Sequence, residues 1–354
     1  MAQLQYAGEF TLEHLELISS SGVAVNLITS CLEINIMEDI TVHSLSGQLV
    51  VADTNDLRQN MPLLGQEQLL MKISTPSLTG EEVTIDYTKN GLVIYNVSTT
   101  TDLGMGATSH TLEFCSQELL TNNRIRISRA FKDTPSDIVK KILTESRYID
   151  TKKNINIERT SDIKNIVVPN QRPFDFISNL MKDARSKDGS PHYLFYETTR
   201  GYNFRTLQNL YEEGDKGSYH NGDAAPDQRD GSTLGIQEAF DRVVEIEVKG
   251  SNDSLMDSVG GMLGSKIVTH DLFQKKYSEK TYEYFKDFDK HGRIDSFPKY
   301  NENVGEYKEA RIFVHPTSSR DDGLDAQYVD ENNINDSVSA NKINETLLQR
   351  KSRI

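Results

Sequence analysis

Between residues 10 and 118, apolar and polar positions alternate with a period of two. Leu32, Ile34 and Ile36 alternate with Glu33 and Asn35, and Val83, Ile85 and Tyr87 with Thr84 and Asp86, before Lys89-Asn90-Gly91 turns the chain into a run through Leu92 and Ile94. Successive side chains of a strand point to opposite faces, so this spacing predicts strands with one buried face and little helix. Turns are expected at residues 19–22, at Ser46-Gly47, at residues 53–56 and at Thr79-Gly80, where small and polar residues break the alternation.

The pattern changes near residue 119. Ile125, Ile127 and later Ala130 alternate with Arg126 and Ser128, and Thr134-Pro135-Ser136-Asp137 then reads as a helix start. Thr134 can cap, Pro135 suits the first helical position, and Asp137 completes a capping box at the positive end of the helix dipole. Ile138, Val139, Ile142 and Leu143 supply its apolar face. Pro173 opens a second helix with Phe174, Ile177, Leu180, Met181 and Ala184 on one face, and Asp188-Gly189-Ser190-Pro191 is its expected stop. Residues 193–197 and 202–206 follow as two aromatic strands of a hairpin turned at 198–201. Phe174, Ile177, Leu180, Tyr193, Phe195, Tyr202 and Phe204 are thereby predicted as the core of a helix-on-hairpin wedge, with a ligand cage as the competing reading of so many aromatic rings.

Residues 210–232 are rich in Gly, Asp and Asn and read as a surface excursion. Val243, Val244, Ile246 and Val248 restart strand character, residues 252–261 make a turn or short helix, and 266–285 alternate through two strands. The polar stretch 286–335 is broken by an apolar run at 310–314, and residues 340–354 form an amphipathic helix with Ile343, Leu347 and Ile354 inward. The expected fold is mainly β with an α+β insertion, in three domains at residues 1–118, 119–236 and 237–354. Two β-rich regions around an α/β middle suggest a duplicated β-domain.

Charge narrows the function classes. With 53 acidic against 39 basic side chains the formal charge of the 354 residues is −14, which argues against a dedicated nucleic-acid binder. No apolar run is long enough to span a membrane and no basic-then-apolar leader is visible, so a soluble chain made in a cytoplasm is expected. Cys31 and Cys115, both inside alternating runs, read as buried thiols. Gly260-Gly261-Met262-Leu263-Gly264-Ser265-Lys266 has the glycines of a phosphate loop in the wrong order, and Gly104-Met105-Gly106 lacks a third glycine and a following helix. Asp287 and Asp289 match the first and third positions of a calcium loop, but Pro298 stands where a bidentate Glu is required. No histidine or cysteine spacing suits zinc, no nucleophile motif is present, and neither cofactor nor metal is expected. Arg124, Arg126, Arg129 and Lys132 form the compact basic cluster, either a contact for phosphate or an acidic partner, or a solvated strand edge that discourages aggregation.

The order of the pieces carries a resemblance. Leu32-Glu33-Ile34-Asn35-Ile36-Met37-Glu38-Asp39, then Ser46-Gly47-Gln48-Leu49-Val50-Val51-Ala52-Asp53 and Pro62-Leu63-Leu64-Gly65-Gln66-Glu67, resemble the N-terminal barrel of the baseplate central hub proteins of T-even-like contractile-tailed bacteriophages. The Val-Pro step at Val168-Pro169, the helix opening Pro173-Phe174-Asp175, the hairpin ending Gly201-Tyr202-Asn203-Phe204-Arg205 and the segment 124–137 are similar to the same family. The resemblance implies two tube-like β-barrels flanking the middle domain, and a ring-forming homotrimer that presents six quasi-equivalent barrels to the sixfold tail tube and its opposite face to the trimeric central spike. It also implies a virion protein of the tail baseplate, assembled in the bacterial host cytoplasm. Its partners would be spike, tube or tube-initiator and other baseplate proteins, with genomic DNA passing through an acidic channel without sequence-specific binding.

Family members continue past the helix at 340–354, so the second barrel is expected to be incomplete within these residues. Barrel edges and the segment 119–132 are the expected subunit interfaces. No enzymatic activity is expected; the rival readings are a tail-associated cell-wall hydrolase and the hub of a related contractile injection or secretion machine.

Overall fold

The computed structural model describes residues 10–53, 61, 63–75, 83–104, 107–161, 163–187, 192–214, 219–221, 242–243, 254–261, 263–271, 275–290 and 311–317. The chain is mainly β. Its first part holds β1 (Thr11–Ile18), β2 (Ala24–Asn26), β3 (Cys31–Met37), β4 (Ser46–Asp53), β5 (Gln68–Thr75), β6 (Val83–Asp86), β7 (Leu92–Gly104) and β8 (Ala107–Ser116). They form one curled eight-stranded antiparallel sheet in the order β2-β1-β5-β7-β8-β4-β3, with β6 beside β5. The period-two apolar positions line its concave core, including Leu15, Leu17, Leu49, Val51, Leu69, Met71, Leu112 and Phe114.

Two details depart from expectation. Ser46-Gly47 is not a turn but the start of β4, where Gly47 pairs with Ile36 on one side and Phe114 on the other. A Cβ at Gly47 would lie 2.2 Å from the Asn35 carbonyl oxygen and 2.3 Å from Phe114 Cζ, so the missing side chain is the space the Phe114 ring occupies. The turn at Ser19–Gly22 forms, closed by the Gly22 amide on the Ser19 carbonyl at 3.0 Å; residues 54–56 and Thr79-Gly80 lie outside the described residues. Cys115 is buried, Cys31 half-buried, and both are free thiols.

The middle part begins with a helix that the pattern did not announce, α1 (Gln117–Arg124). It continues with β9 (Ile127–Asp133), α2 (Pro135–Thr144), β10 (Ile155–Ile157), β11 (Lys164–Gln171), α3 (Pro173–Asp183), β12 (Tyr193–Thr198), β13 (Gly201–Thr206) and α4 (Leu207–Glu212). α2 starts as predicted: the Thr134 hydroxyl accepts from the Asp137 amide at 3.3 Å and donates to the Asp137 carboxylate at 2.7 Å. α3 has no cap of its own. Its Phe174 amide donates instead to Asn122 Oδ1 on α1 at 2.8 Å, a helix cap supplied from 52 residues away. α3 also ends earlier than expected, at Asp183, because the chain beyond it is drawn into a bridge between Ser186 and Thr160.

β12 and β13 form the expected hairpin, to which β10 adds in parallel, and β9 and β11 pair as a separate antiparallel ribbon. The excursion expected from residue 210 starts inside α4, and most of it lies outside the described residues.

Within it lies β14 (His220–Asn221), paired with β15 (Arg242–Val243) beyond it, and there follow α5 (Ser254–Val259), β16 (Gly264–Asp271), β17 (Lys276–Glu283), α6 (Tyr284–Asp287), a single 3-10 turn (Phe288–Lys290) and β18 (Arg311–Thr317). β16 is flanked by antiparallel β17 and parallel β18, and Leu263, Tyr282, Tyr284 and Phe288 make a small core. Val244, Ile246, Val248 and the helix expected at 340–354 lie outside the described residues.

Candidate functional site

All seven wedge residues, Phe174, Ile177, Leu180, Tyr193, Phe195, Tyr202 and Phe204, are buried in one cluster with the apolar face of α2. Their rings meet one another: Phe195 stacks on Tyr202 at 5.6 Å, Tyr193 on Phe204 at 4.7 Å, and Phe174 meets Phe195 edge-on at 5.4 Å. Each fully buried large apolar side chain is worth about 1.5–3 kcal/mol, which makes this cluster the main apolar anchor of the middle part.

The chemistry lies where this wedge meets the first sheet. Hairpin alternation aims Tyr193, Phe195 and Glu197 at the same buried face, so a carboxylate is carried inward with the aromatics. Glu197 is 1% exposed. Its Oε2 accepts from the Leu45 amide at 2.8 Å, and its Oε1 from the Ser116 hydroxyl at 2.8 Å and from Lys153 Nζ at 2.6 Å. Lys153 also donates to Glu118 Oε2 at 2.7 Å, and Glu118 Oε1 accepts from the Thr151 hydroxyl at 2.6 Å.

One carboxylate of the wedge thus ties together the approach to β4, the end of β8 and the loop after α2. Two carboxylates share one ammonium, and the excess negative charge is met by hydroxyl and amide donors. Burial drives the Tyr202 phenol well above its ordinary pKa, reinforced by the Glu197 charge, and pushes the Cys115 thiol up to about 11. The Lys153 ammonium sits 5.9 Å and 5.8 Å from the ring centres of Tyr87 and Tyr202.

The segment between β3 and β4 reinforces this clasp. Glu38 accepts from the Thr199 amide in the hairpin turn. His43 bonds the Phe195 carbonyl through Nδ1 at 2.9 Å and the Ser178 hydroxyl through Nε2 at 2.7 Å, with its ring against Phe195. Glu197, Lys153, Glu118 and His43 were not singled out from sequence. The one available signal was the parity of Glu197 among inward aromatic residues, a charge on a face that demands a partner.

The basic cluster is divided by the fold. Arg129 and Lys132 stand on β9 and Arg126 just before it, all exposed, while Arg124 ends α1 beside a cleft with Gln66, Gln68 and Val93. None of the four has an ion pair among the described residues. Asp287 ends α6 and accepts from the Glu283 amide at 2.9 Å, while Asp289 is exposed in the 3-10 turn; both stand in helical backbone, and positions 291–298 of the calcium-like run lie outside the described residues. Gly260 and Gly261 form the turn that stops α5, with Gly261 at φ +88° and the Gly260 amide on the Met256 carbonyl. A further buried pair, His110 Nε2 and Asp53 Oδ2 at 3.3 Å, lies across β8 and β4. No group of three or more His, Cys, Asp or Glu placed to hold a metal occurs among the described residues.

No protein-family model matches the chain, and no curated protein matches it. Among solved structures it is similar to the 43 kDa tail protein of prophage MuSo2 from Shewanella oneidensis, with 14% identity and a TM-score of 0.36 over 54% of each chain. The tail protein from Neisseria meningitidis MC58 is similar over 88% of this chain and 72% of that one, with 10% identity and a TM-score of 0.43. The Francisella PdpA-VgrG complex is similar over 92% of this chain and 43% of that one, with 11% identity and a TM-score of 0.45. The chain therefore spans about half the length of the first of these structures and less than half of the third.

Proposed function

We propose that the chain is a non-enzymatic structural subunit, the central hub of a contractile tail, in which three copies close a ring between a trimeric spike and a sixfold tube. One observation carries the reading: the eight-stranded sheet is open at β3 and is held there by the clasp. β3 is the last strand of the order, with no neighbour on its outer side among the described residues. Leu32 is 59% exposed near one end of β3, and Met37 at its other end and Ile40 and Val42 in the segment that follows are exposed as well. In a monomer an open apolar edge is a liability, whereas in a ring subunit it is the means of association.

Glu38, His43 and Leu45 fasten the segment after β3 to the wedge, so the edge is presented at a set angle, as ring closure needs. The sequence resemblance to baseplate hubs supports the same role, and the charge of −14 suits a channel that lets DNA slide. On this reading the spike, tube or tube-initiator and other baseplate proteins are the partners, the tail baseplate of the virion is the location, and the wedge is a rigid spacer between two tube-like barrels.

Sedimentation equilibrium over a range of concentrations tests it. A species of three times the 40.0 kDa chain mass, imaged as a ring with a channel, is the expected result. A monomer at every concentration, including in the presence of the spike, would overturn the proposal.

A further inference from the structure

The ribbon of β9 and β11 offers a second open edge. Among the described residues neither strand has another neighbour. Its inner face, Ile127, Phe131, Ile166 and Val168, packs into the wedge core. Its outer face carries Ser128, Ala130, Lys132, Asn165 and Val167, all exposed, with Val167 75% exposed directly across from Ala130.

The two edges of this ribbon differ. β11 is blunted by exposed Pro169, by Asn170 at φ +50°, and by a register shift between Val168 and Gln171. β9 has neither proline nor glycine, and Arg129 and Lys132 within it and Arg126 just before it have no ion pair among the described residues. The adjacent acid, Asp133, is engaged by Lys141 at 2.6 Å. β9 is therefore the edge able to accept a strand, and its charge asks for an acidic one.

The same molecule displays such a strand. β3 and β9 are each seven residues long, each open on one side, and opposite in charge: residues 31–39 hold Glu33, Glu38 and Asp39 and no cation. An antiparallel register that sets Asn35 across from Ala130 also sets Glu33 across from Lys132, Met37 across from Ser128 and Asp39 across from Arg126. The Glu33–Lys132 pair falls within both strands, Asp39 and Arg126 come together just past their ends, where Asp39 also accepts from the Thr41 amide and hydroxyl, and the outward residues of β3 meet the outward residues of β9. Nucleic acid fits this edge less well, because Phe131, the aromatic residue of β9, is buried and offers no stacking surface.

We propose that β3 of one copy pairs with β9 of the next, joining sheet to ribbon head to tail. This inference rests on the ring reading above and names the contact that closes the ring. A head-to-tail contact generates a closed ring when its rotation divides a full turn, so a single pairing repeated three times suffices.

The test is charge reversal in the full chain, read by sedimentation equilibrium, with circular dichroism and thermal melting to show that each variant folds. Arg126→Glu with Lys132→Glu should raise the concentration at which trimers form at least tenfold, and adding Glu33→Lys with Asp39→Lys on the same chain should restore it to within about threefold of the parent. Hydrogen exchange at Ile36, whose amide faces away from β4, and at Arg129, its partner in this register, should slow in the parent as concentration rises through assembly. A trimer indifferent to every reversal, with unchanged exchange at both amides, would overturn the pairing and leave the hub reading standing. Loss of the trimer without rescue would assign the cations to another acidic partner and likewise overturn it. Absence of any parent trimer, with or without the spike, would remove the hub reading itself and this pairing with it.

Discussion

Glu197 Oε1 and Lys153 Nζ lie 2.6 Å apart, in a junction where both side chains are almost wholly shielded from water. The pair joins the hairpin to the loop after α2, and the remaining Glu197 bonds reach the first sheet. Removing one member of a buried pair leaves an uncompensated charge, so Lys153→Met should destabilise by about 3–5 kcal/mol. Glu197→Gln should cost a similar amount, and the double variant should cost much less than the sum. Urea unfolding of the three variants measures this, and strict additivity would refute the coupling.

Truncating the wedge core should be severe. Phe174→Ala and Phe195→Ala each open a cavity in a cluster of stacked and edge-on rings, with an expected loss of about 3–5 kcal/mol. Conservative changes at exposed charges of the same segment, such as Lys182→Arg, should stay within about 0.5 kcal/mol. Unchanged melting temperatures for both truncations would refute the core role.

Gly47→Ala tests the close approach of β3, β4 and β8. The added methyl collides with the Asn35 carbonyl and the Phe114 ring, and such overpacking costs about 1–3 kcal/mol. A smaller residue at 114 relieves only half of the clash, since the Asn35 backbone cannot withdraw. Gly47→Ala with Phe114→Leu should therefore remain less stable than Phe114→Leu alone, which calorimetry of the pair checks.

Alkaline pH should weaken the fold through groups buried at the clasp. Burial raises the Cys115 thiol to about 11, above its unfolded value, so its contribution is full below the unfolded pKa and is lost as pH rises through about 11. The phenols of Tyr87 and Tyr202, also raised by burial, extend the loss to higher pH. Stability measured by denaturant should fall from about pH 9 upward, with a shallower fall in Cys115→Ser. An identical slope in the two proteins would contradict the assignment.

Local chemistry made part of this legible in advance. Thr134 and Pro135 announce α2 because a cap and a preset φ act within one turn, and the aromatic parity of β12 and β13 announces the wedge core because alternation is a local property. α1 escaped notice for a physical reason: among its eight residues Leu119 and Leu120 are adjacent and form no repeating stripe. What anchors it is polar and remote, with Glu118 bonded to Thr151 and Lys153, and Asn122 capping α3. Ser46-Gly47 reads locally as a turn, and only the approach of Phe114 from a distant strand makes it strand. Likewise the parity of Glu197 shows that it points inward, while its partners at Leu45, Ser116 and Lys153 are visible only once the chain is folded.

The clasp also has a mechanical meaning. Its bonds from Glu38, His43 and Leu45 to the hairpin connect residues 161, 152 and 152 positions apart in sequence. A pull on the open edge of the first sheet is shared by several short bonds loaded together and passes directly into the aromatic core. Without them the same pull would travel the covalent path through β4 to α3 and straighten it segment by segment. Loosening Glu197 should therefore lower the force at which sheet and wedge part company more than it lowers the force that unravels either one, turning a stiff strut into a hinge.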